Sequence, residues 1–203
     1  MTGNRNTGGH APTEGAAARG RRADAVRNQA AIVEAALRVL ADRPGASMDE
    51  IAEASGLGRA TLYRHFRTRA ELVHAIQRSA LATAGEAVAA CGLEQHAASA
   101  ALKCAVEALV GVGDRYRVLG REVSLDPSLL ERQESVARPL LGTIRRGQEN
   151  GELRRDLPPQ WVLASMGNLL VLALREIGAG RLSADAAAEI VAATLLEGII
   201  AER

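Results

Sequence analysis

From Asp24 onward the apolar positions recur with the period of an α-helix: Ile32, Ala36, Val39 and Leu40 share one face. Pro44-Gly45 stops this first helix. Ser47-Met48-Asp49-Glu50 follows as a capping box, in which the serine oxygen accepts from the amide three residues on and the glutamate reaches back. The spacing predicts a short helix to about Ser55, a sharp turn at Gly56, and a second short helix from about Arg59 to His65. Thr68-Arg69-Ala70-Glu71 is a second capping box and opens a long helix to about Ala90. Further helices are predicted over about Glu94–Leu119 and from Asp126-Pro127 to Asn150-Gly151, the latter as one kinked helix or two. Another runs from Pro158-Pro159 to Gly178, and a last one from Ser183 to the C-terminus. The expected fold is all-α with about nine helices. Residues 1–23 contain no Val, Ile or Leu and end in Arg19, Arg21 and Arg22, which predicts a disordered basic tail.

Composition narrows the chemistry. Aromatic residues are only 2% of the 203, namely Tyr63, Phe66, Tyr116 and Trp161, so any core or pocket is built mainly from Ala, Leu, Val and Ile. The net charge of +1 is uninformative, but its distribution is not. Residues 1–78 hold 12 arginines against 8 acidic residues, and the remainder is mildly acidic, which points to an anionic partner at one end. Cys91 and Cys104 form no CxxC motif and are expected to be two small reduced residues. The longest uncharged apolar run, 161–174, falls short of a membrane span, and no secretory signal is visible; a cytoplasmic protein without membrane contact is expected. No G-x-S-x-G, H-E-x-x-H, P-loop or G-x-G-x-x-G occurs, and His10, His65, His74 and His96 have no ligand spacing. An enzyme, a metal site and a cofactor are therefore not expected.

The informative segment lies between the capping boxes. Residues 54–70 contain Arg59, Arg64, Arg67, Arg69 and His65 and no acid. Two short helices joined by a glycine turn make a helix-turn-helix. Ile51, Ala52, Leu57, Leu62 and Phe66 are expected to pack the pair, which leaves Arg59, Ala60, Thr61, Tyr63, Arg64 and His65 for the groove or its edges. Gly58 and Ala60 permit close backbone approach. Arg reads guanine with two hydrogen bonds and Thr offers a hydroxyl or a methyl. The Tyr63 hydroxyl, Thr68 and Arg69 suit phosphates, whereas Asp49 and Glu50 are expected to serve their own helix N-terminus.

Ser47 to Val73 resembles the DNA-binding segment of the tetracycline-repressor (TetR) family. Ile51, Ala52, Gly56, Leu57, Thr61, Leu62, Tyr63, His65, Phe66, Arg67 and Arg69 fit its pattern; Gly58 departs from it, where a polar residue often stands. Arg145–Leu157 is also similar to family members. The resemblance implies a helix-turn-helix domain over 24–68, with Ser47 and Arg67 joining the DNA-binding set. It also implies a helical effector-binding and dimerisation domain over 69–203, with the homodimer formed by the last two helices. Tyr116, Trp161 and Asn168 are the candidate effector contacts, and a small, largely apolar effector would release the repressor from double-stranded operator DNA. A helical interaction domain that meets an acidic partner, or an activator without an effector, remains the alternative.

Overall fold

The computed structural model describes residues 14–119 and 127–200. Eight α-helices account for nearly all of them: α1 (Glu14–Asp42), α2 (Met48–Ser55), α3 (Arg59–His65), α4 (Arg69–Ala90), α5 (Ala98–Arg115), α6 (Pro127–Glu149), α7 (Pro159–Gly178) and α8 (Ala184–Ile199). A 3-10 turn, Arg117–Leu119, follows α5. The helix expected from Asp24 begins at Glu14, so the second half of the segment expected as a disordered tail is helical; residues 1–13 lie outside the described residues. Pro139 does not divide α6, which is one helix, and the Thr143 hydroxyl donates to the Pro139 carbonyl at 3.1 Å.

Two buried clusters organise these elements. Ile32, Leu37, Ile51, Leu62, Phe66 and Ile76 form the first, where α1 to α3 meet the start of α4. Leu102, Val106, Leu140, Ile144, Met166 and Val191 form the second, around α5. The helix α4 serves both, with Leu72, Ala75 and Ile76 in one and Val88 in the other. Beyond this shared rod, the 3-10 turn touches α1 and α4, and Arg115 pairs with Glu34 of α1 at 2.6 Å.

α5 starts four residues later than the apolar pattern predicts, and the cause lies far along the chain. Ala97 supplies no side-chain cap. Instead, the Glu152 carboxylate accepts from the amides of Ala98 and Ser99, both at 2.8 Å, and from the Ser99 hydroxyl at 2.5 Å. Burial pulls the Glu152 carboxyl upward, but the hydrogen bonds from the Ser99 hydroxyl and amide and the Ala98 amide outweigh it and leave the group below its usual 4.5. A carboxyl depressed on folding stabilises above its unfolded pKa and loses that contribution as pH falls through the folded one. Glu152→Gln should therefore cost about 1 kcal/mol at neutral pH, the ordinary size of a helix cap. In urea unfolding, the gap to wild type should close as pH drops below 4.5; a gap independent of pH would contradict this assignment.

Two further departures concern α4, α5 and α7. Cys91 and Cys104, expected as reduced thiols, are joined in a disulfide with a Cα–Cα separation of 5.8 Å. Their spacing of 13 residues carries no signal by itself; they meet because α4 ends at Cys91 and α5 returns alongside it. And although its uncharged run is short, α7 as a whole reaches the length and composition of a membrane-crossing helix, with a mean hydropathy of 1.3. It packs on α5, α6 and α8 through Val162, Met166 and Ala173, while Trp161, Val171 and Leu172 on other faces stay exposed.

Candidate nucleic-acid interface

Local chemistry sets the geometry of α2 and α3. Ser47 caps α2: its hydroxyl accepts from the Glu50 amide at 3.3 Å, and the Ser47 amide donates to the Glu50 carboxylate at 2.7 Å. The Ser47 amide, then its hydroxyl, hold the Glu50 carboxyl below the usual carboxylate range, and Arg43 adds an ion pair. Gly56 ends α2 in the left-handed region, at φ +69°, where a side chain would be strained. Gly58 stands at the N-cap of α3 without a side-chain hydrogen bond, as its lack of a polar group requires. The Thr68 hydroxyl caps α4 by accepting from the Glu71 amide at 3.2 Å. In return, the Glu71 carboxylate takes the Arg67 amide at 2.7 Å, one residue before the cap.

The inward set is where it was expected: Ile51, Ala52 and Leu62 are fully buried, Phe66 nearly so, and Leu57 is half-buried against the same cluster. Opposite them, Gly58, Arg59, Ala60, Tyr63, Arg64, Arg67, Thr68 and Arg69 are exposed and Thr61 is half-exposed. No described residue forms an ion pair with Arg64 or Arg67. Two residues behave differently from expectation. His65 turns inward: its Nε2 is enclosed without a hydrogen-bond partner among the described residues, and its ring lies 6.4 Å from Phe66. Arg69 commits its guanidinium to the carbonyls of Ala46 at 2.5 Å and Pro44 at 2.8 Å, and so ties α4 to the turn before α2. Sequence reasoning missed Asp49. Its carboxylate takes Arg59 at 2.7 Å on one oxygen and the Tyr63 hydroxyl at 3.3 Å on the other.

The three candidate effector contacts do not come together. Tyr116 is buried in the first cluster, where its hydroxyl is shared with Ser79 at 2.9 Å and Thr83 at 3.2 Å, both on α4. Trp161 and Asn168 line an open groove of about 490 Å³ between α7 and α8, with Leu172 and Thr194. The Asn168 amide donates back to the Ala164 carbonyl at 2.8 Å, within its own helix. The separation follows from position: Tyr116 stands at the C-cap of α5 with its hydroxyl bonded to α4, whereas Trp161 and Asn168 lie on α7.

A basic, exposed second helix packed on a short capped first one, set at the end of a larger helical bundle, defines a helix-turn-helix DNA-binding protein. Residues 32–76 match the family model of the bacterial regulatory proteins of the tetR family. The chain is 29% identical over 137 residues to the HTH-type transcriptional repressor LfrR of Mycolicibacterium smegmatis, spanning 66% of this chain and 71% of that protein. It is 29% identical over 139 residues to the HTH-type transcriptional regulator NfxB of Pseudomonas aeruginosa, with 62% and 70% covered. The crystal structure of LfrR with proflavine superposes with a TM-score of 0.69 at 25% identity, covering 87% of this chain and 99% of that one. A tetR-family regulatory protein from Rhodococcus RHA1 shares the fold at a TM-score of 0.71 and 20% identity, with 87% and 98% covered. The chain thus resembles TetR-family DNA-binding transcriptional regulators, in sequence over its helix-turn-helix segment and in fold over most of its length.

Proposed function

We propose that this regulator is a cytoplasmic homodimeric repressor, which holds operator DNA through α3 and its flanks and is released by a small, largely apolar effector. The observation that carries the DNA assignment is the pair of exposed guanidinium groups of Arg64 and Arg67, neither in an ion pair with a described residue, beside exposed Tyr63 in a stretch without acid. Arg59 and Thr61 are assigned to base edges, and Tyr63, Arg67 and the capped start of α4 at Thr68 to phosphates. Ser47 and Arg69 fix the frame that presents them. In this reading 24–68 reads DNA, and 69–203 binds effector and partner. The repressor role is supported by LfrR, named a transcriptional repressor, and the effector by the proflavine bound in that protein's structure. We assign the α7–α8 face, including Trp161 and Asn168, to the second copy rather than to the effector. An effector releases DNA only by its difference in affinity between the DNA-binding and released states.

Selection of bound fragments from random duplexes, followed by titration at several salt concentrations, tests the reading. Wild type should select fragments with two related half-sites. Arg64→Ala and Arg67→Ala should each flatten the plot of log affinity against log salt by about 0.9, the slope of one lost phosphate contact. Thr61→Ala should instead alter the selected bases. Binding to duplexes that is absent, or indifferent to salt, would overturn the proposal.

A further inference from the structure

The recognition helix does not face solvent with all its donors free. Arg59 and Tyr63 are four residues apart on one face of α3, and both end on one carboxylate, that of Asp49 in the first turn of α2. The Arg59 Nη2 is 2.7 Å from one Asp49 oxygen, and the Tyr63 hydroxyl donates to the other at 3.3 Å. The Arg59 and Asp49 side chains remain 70% and 42% exposed, so the cluster is on the surface rather than inside a core. An exposed pair of this kind contributes little to folding. Its consequence is orientation. A guanidinium has five donors in a rigid plane, and an ion-pair contact at one Nη biases the direction in which the others point. A free Arg, by contrast, swings to the nearest phosphate.

We propose that Asp49 is a specificity-determining residue, which positions Arg59 to read a guanine edge and withholds its charge from the phosphate backbone. This rests on the assignment of α3 to the DNA groove. Two effects follow together. In the specific complex the held guanidinium offers two parallel N–H groups to guanine O6 and N7, a contact that needs fixed geometry. On any other sequence Asp49 neutralises Arg59, so one cation fewer acts on the backbone, and the carboxylate itself repels phosphate. Glu50 does not share this role, since its carboxylate is taken by Ser47 and Arg43.

The test uses the full-length protein, a random-sequence duplex of about 30 base pairs, and fragments selected by wild type. Asp49→Asn keeps the shape and removes the charge; thermal unfolding checks that both proteins are folded. On the random duplex, one freed cation should steepen the salt slope by about 0.9 and tighten binding about eightfold at about 0.1 M salt. Preference for the selected fragments over the random duplex should fall about tenfold, with the loss confined to one base position in each half-site. Asp49→Glu should recover part of that preference. In an Arg59→Ala background, Asp49→Asn should change the preference no further, because the residue acts through Arg59. An unchanged preference, or an equal loss with and without Arg59, would overturn the inference. If wild type binds duplex DNA with a steep salt dependence but Asp49→Asn behaves like it, the inference falls while the DNA assignment stands. If wild type binds no duplex, the DNA assignment itself falls, and the inference with it.

Discussion

Leu172→Arg is expected to give a folded monomer where wild type sediments as a dimer. Leu172 is half-exposed on α7, beside Val171 and lining the same groove as Trp161, which is 64% exposed. On α8, Ile190 is 50% exposed, and Thr194 lines the groove that α8 shares with α7. An apolar surface of this kind on two adjacent long helices marks an interaction site. Closing it against a second copy would bury side chains that α7 leaves uncovered in one chain. An arginine placed there has no partner once desolvated, and stranding a charge costs about 3–5 kcal/mol, which amounts to more than a hundredfold in the dimer constant. Because Leu172 lies outside the buried core, the variant should keep wild-type helicity and differ in mass and in a red-shifted Trp161 emission. Leu195→Arg is not an equivalent probe: Leu195 is 3% exposed and packs inside the second cluster, so its replacement should unfold the domain. A dimer retained by Leu172→Arg at micromolar concentration would place the interface elsewhere.

Gly147→Ala should destabilise the helical domain although it adds a single methyl. A Cβ at Gly147 would stand 2.6 Å from the Ala98 Cβ and 2.7 Å from Leu153 Cδ1. Neither is the far end of a long side chain free to swing away: Ala98 is the first residue of α5, and Leu153 is 1% exposed. Insertion into such a site costs about 1–3 kcal/mol. Here it also pushes α5 away from the Glu152 carboxylate that caps it. The melting temperature should fall by about 2–4 °C for each kcal/mol lost in a protein of this size. Gly142→Ala, on the same helix with nothing within 4 Å of its Cβ, is the control; it should be neutral or mildly stabilising. Equal effects of the two substitutions would refute the close approach of α5 and α6.

What was legible in the sequence was local. The capping box at Ser47, the Thr68 hydroxyl cap, the glycine turn at Gly56 and the inward set Ile51, Leu62 and Phe66 depend on neighbours within a few residues, and each appears where periodicity and cap chemistry place it; only the return bond of Glu71 differs, going to the Arg67 amide rather than to Thr68. The α7 and α8 boundaries were readable for the same reason, from Pro158-Pro159 and Ser183. What was not legible depends on parts of the chain that meet only after folding. Glu152 caps a helix 53 residues upstream, Arg69 reaches back 23 residues to Ala46, and Tyr116 bonds to α4 instead of joining Trp161. The Cys91–Cys104 bridge belongs to this class, since a 13-residue spacing says nothing until α4 and α5 lie side by side. Asp49 was read for the helix end it sits on; its contacts with Arg59 and Tyr63 require the crossing of α2 and α3.

The shared helix α4 has a mechanical meaning. Its 22 residues make a rod of about 33 Å, at about 1.5 Å per residue. One end is tied by Arg69 to the turn before α2, and the other is stapled through Cys91 to α5. Ser79 and Thr83, near its middle, grip the hydroxyl of Tyr116. A rod so attached would act as a lever. A tilt of about 6° about its far end would carry the Arg69 end through about 3.5 Å, close to the 3.4 Å rise of one nucleotide along a DNA strand. A deflection of that size is smaller than the scatter between packed helices, and with both ends tied it would be passed to α2 and α3 rather than taken up within α4.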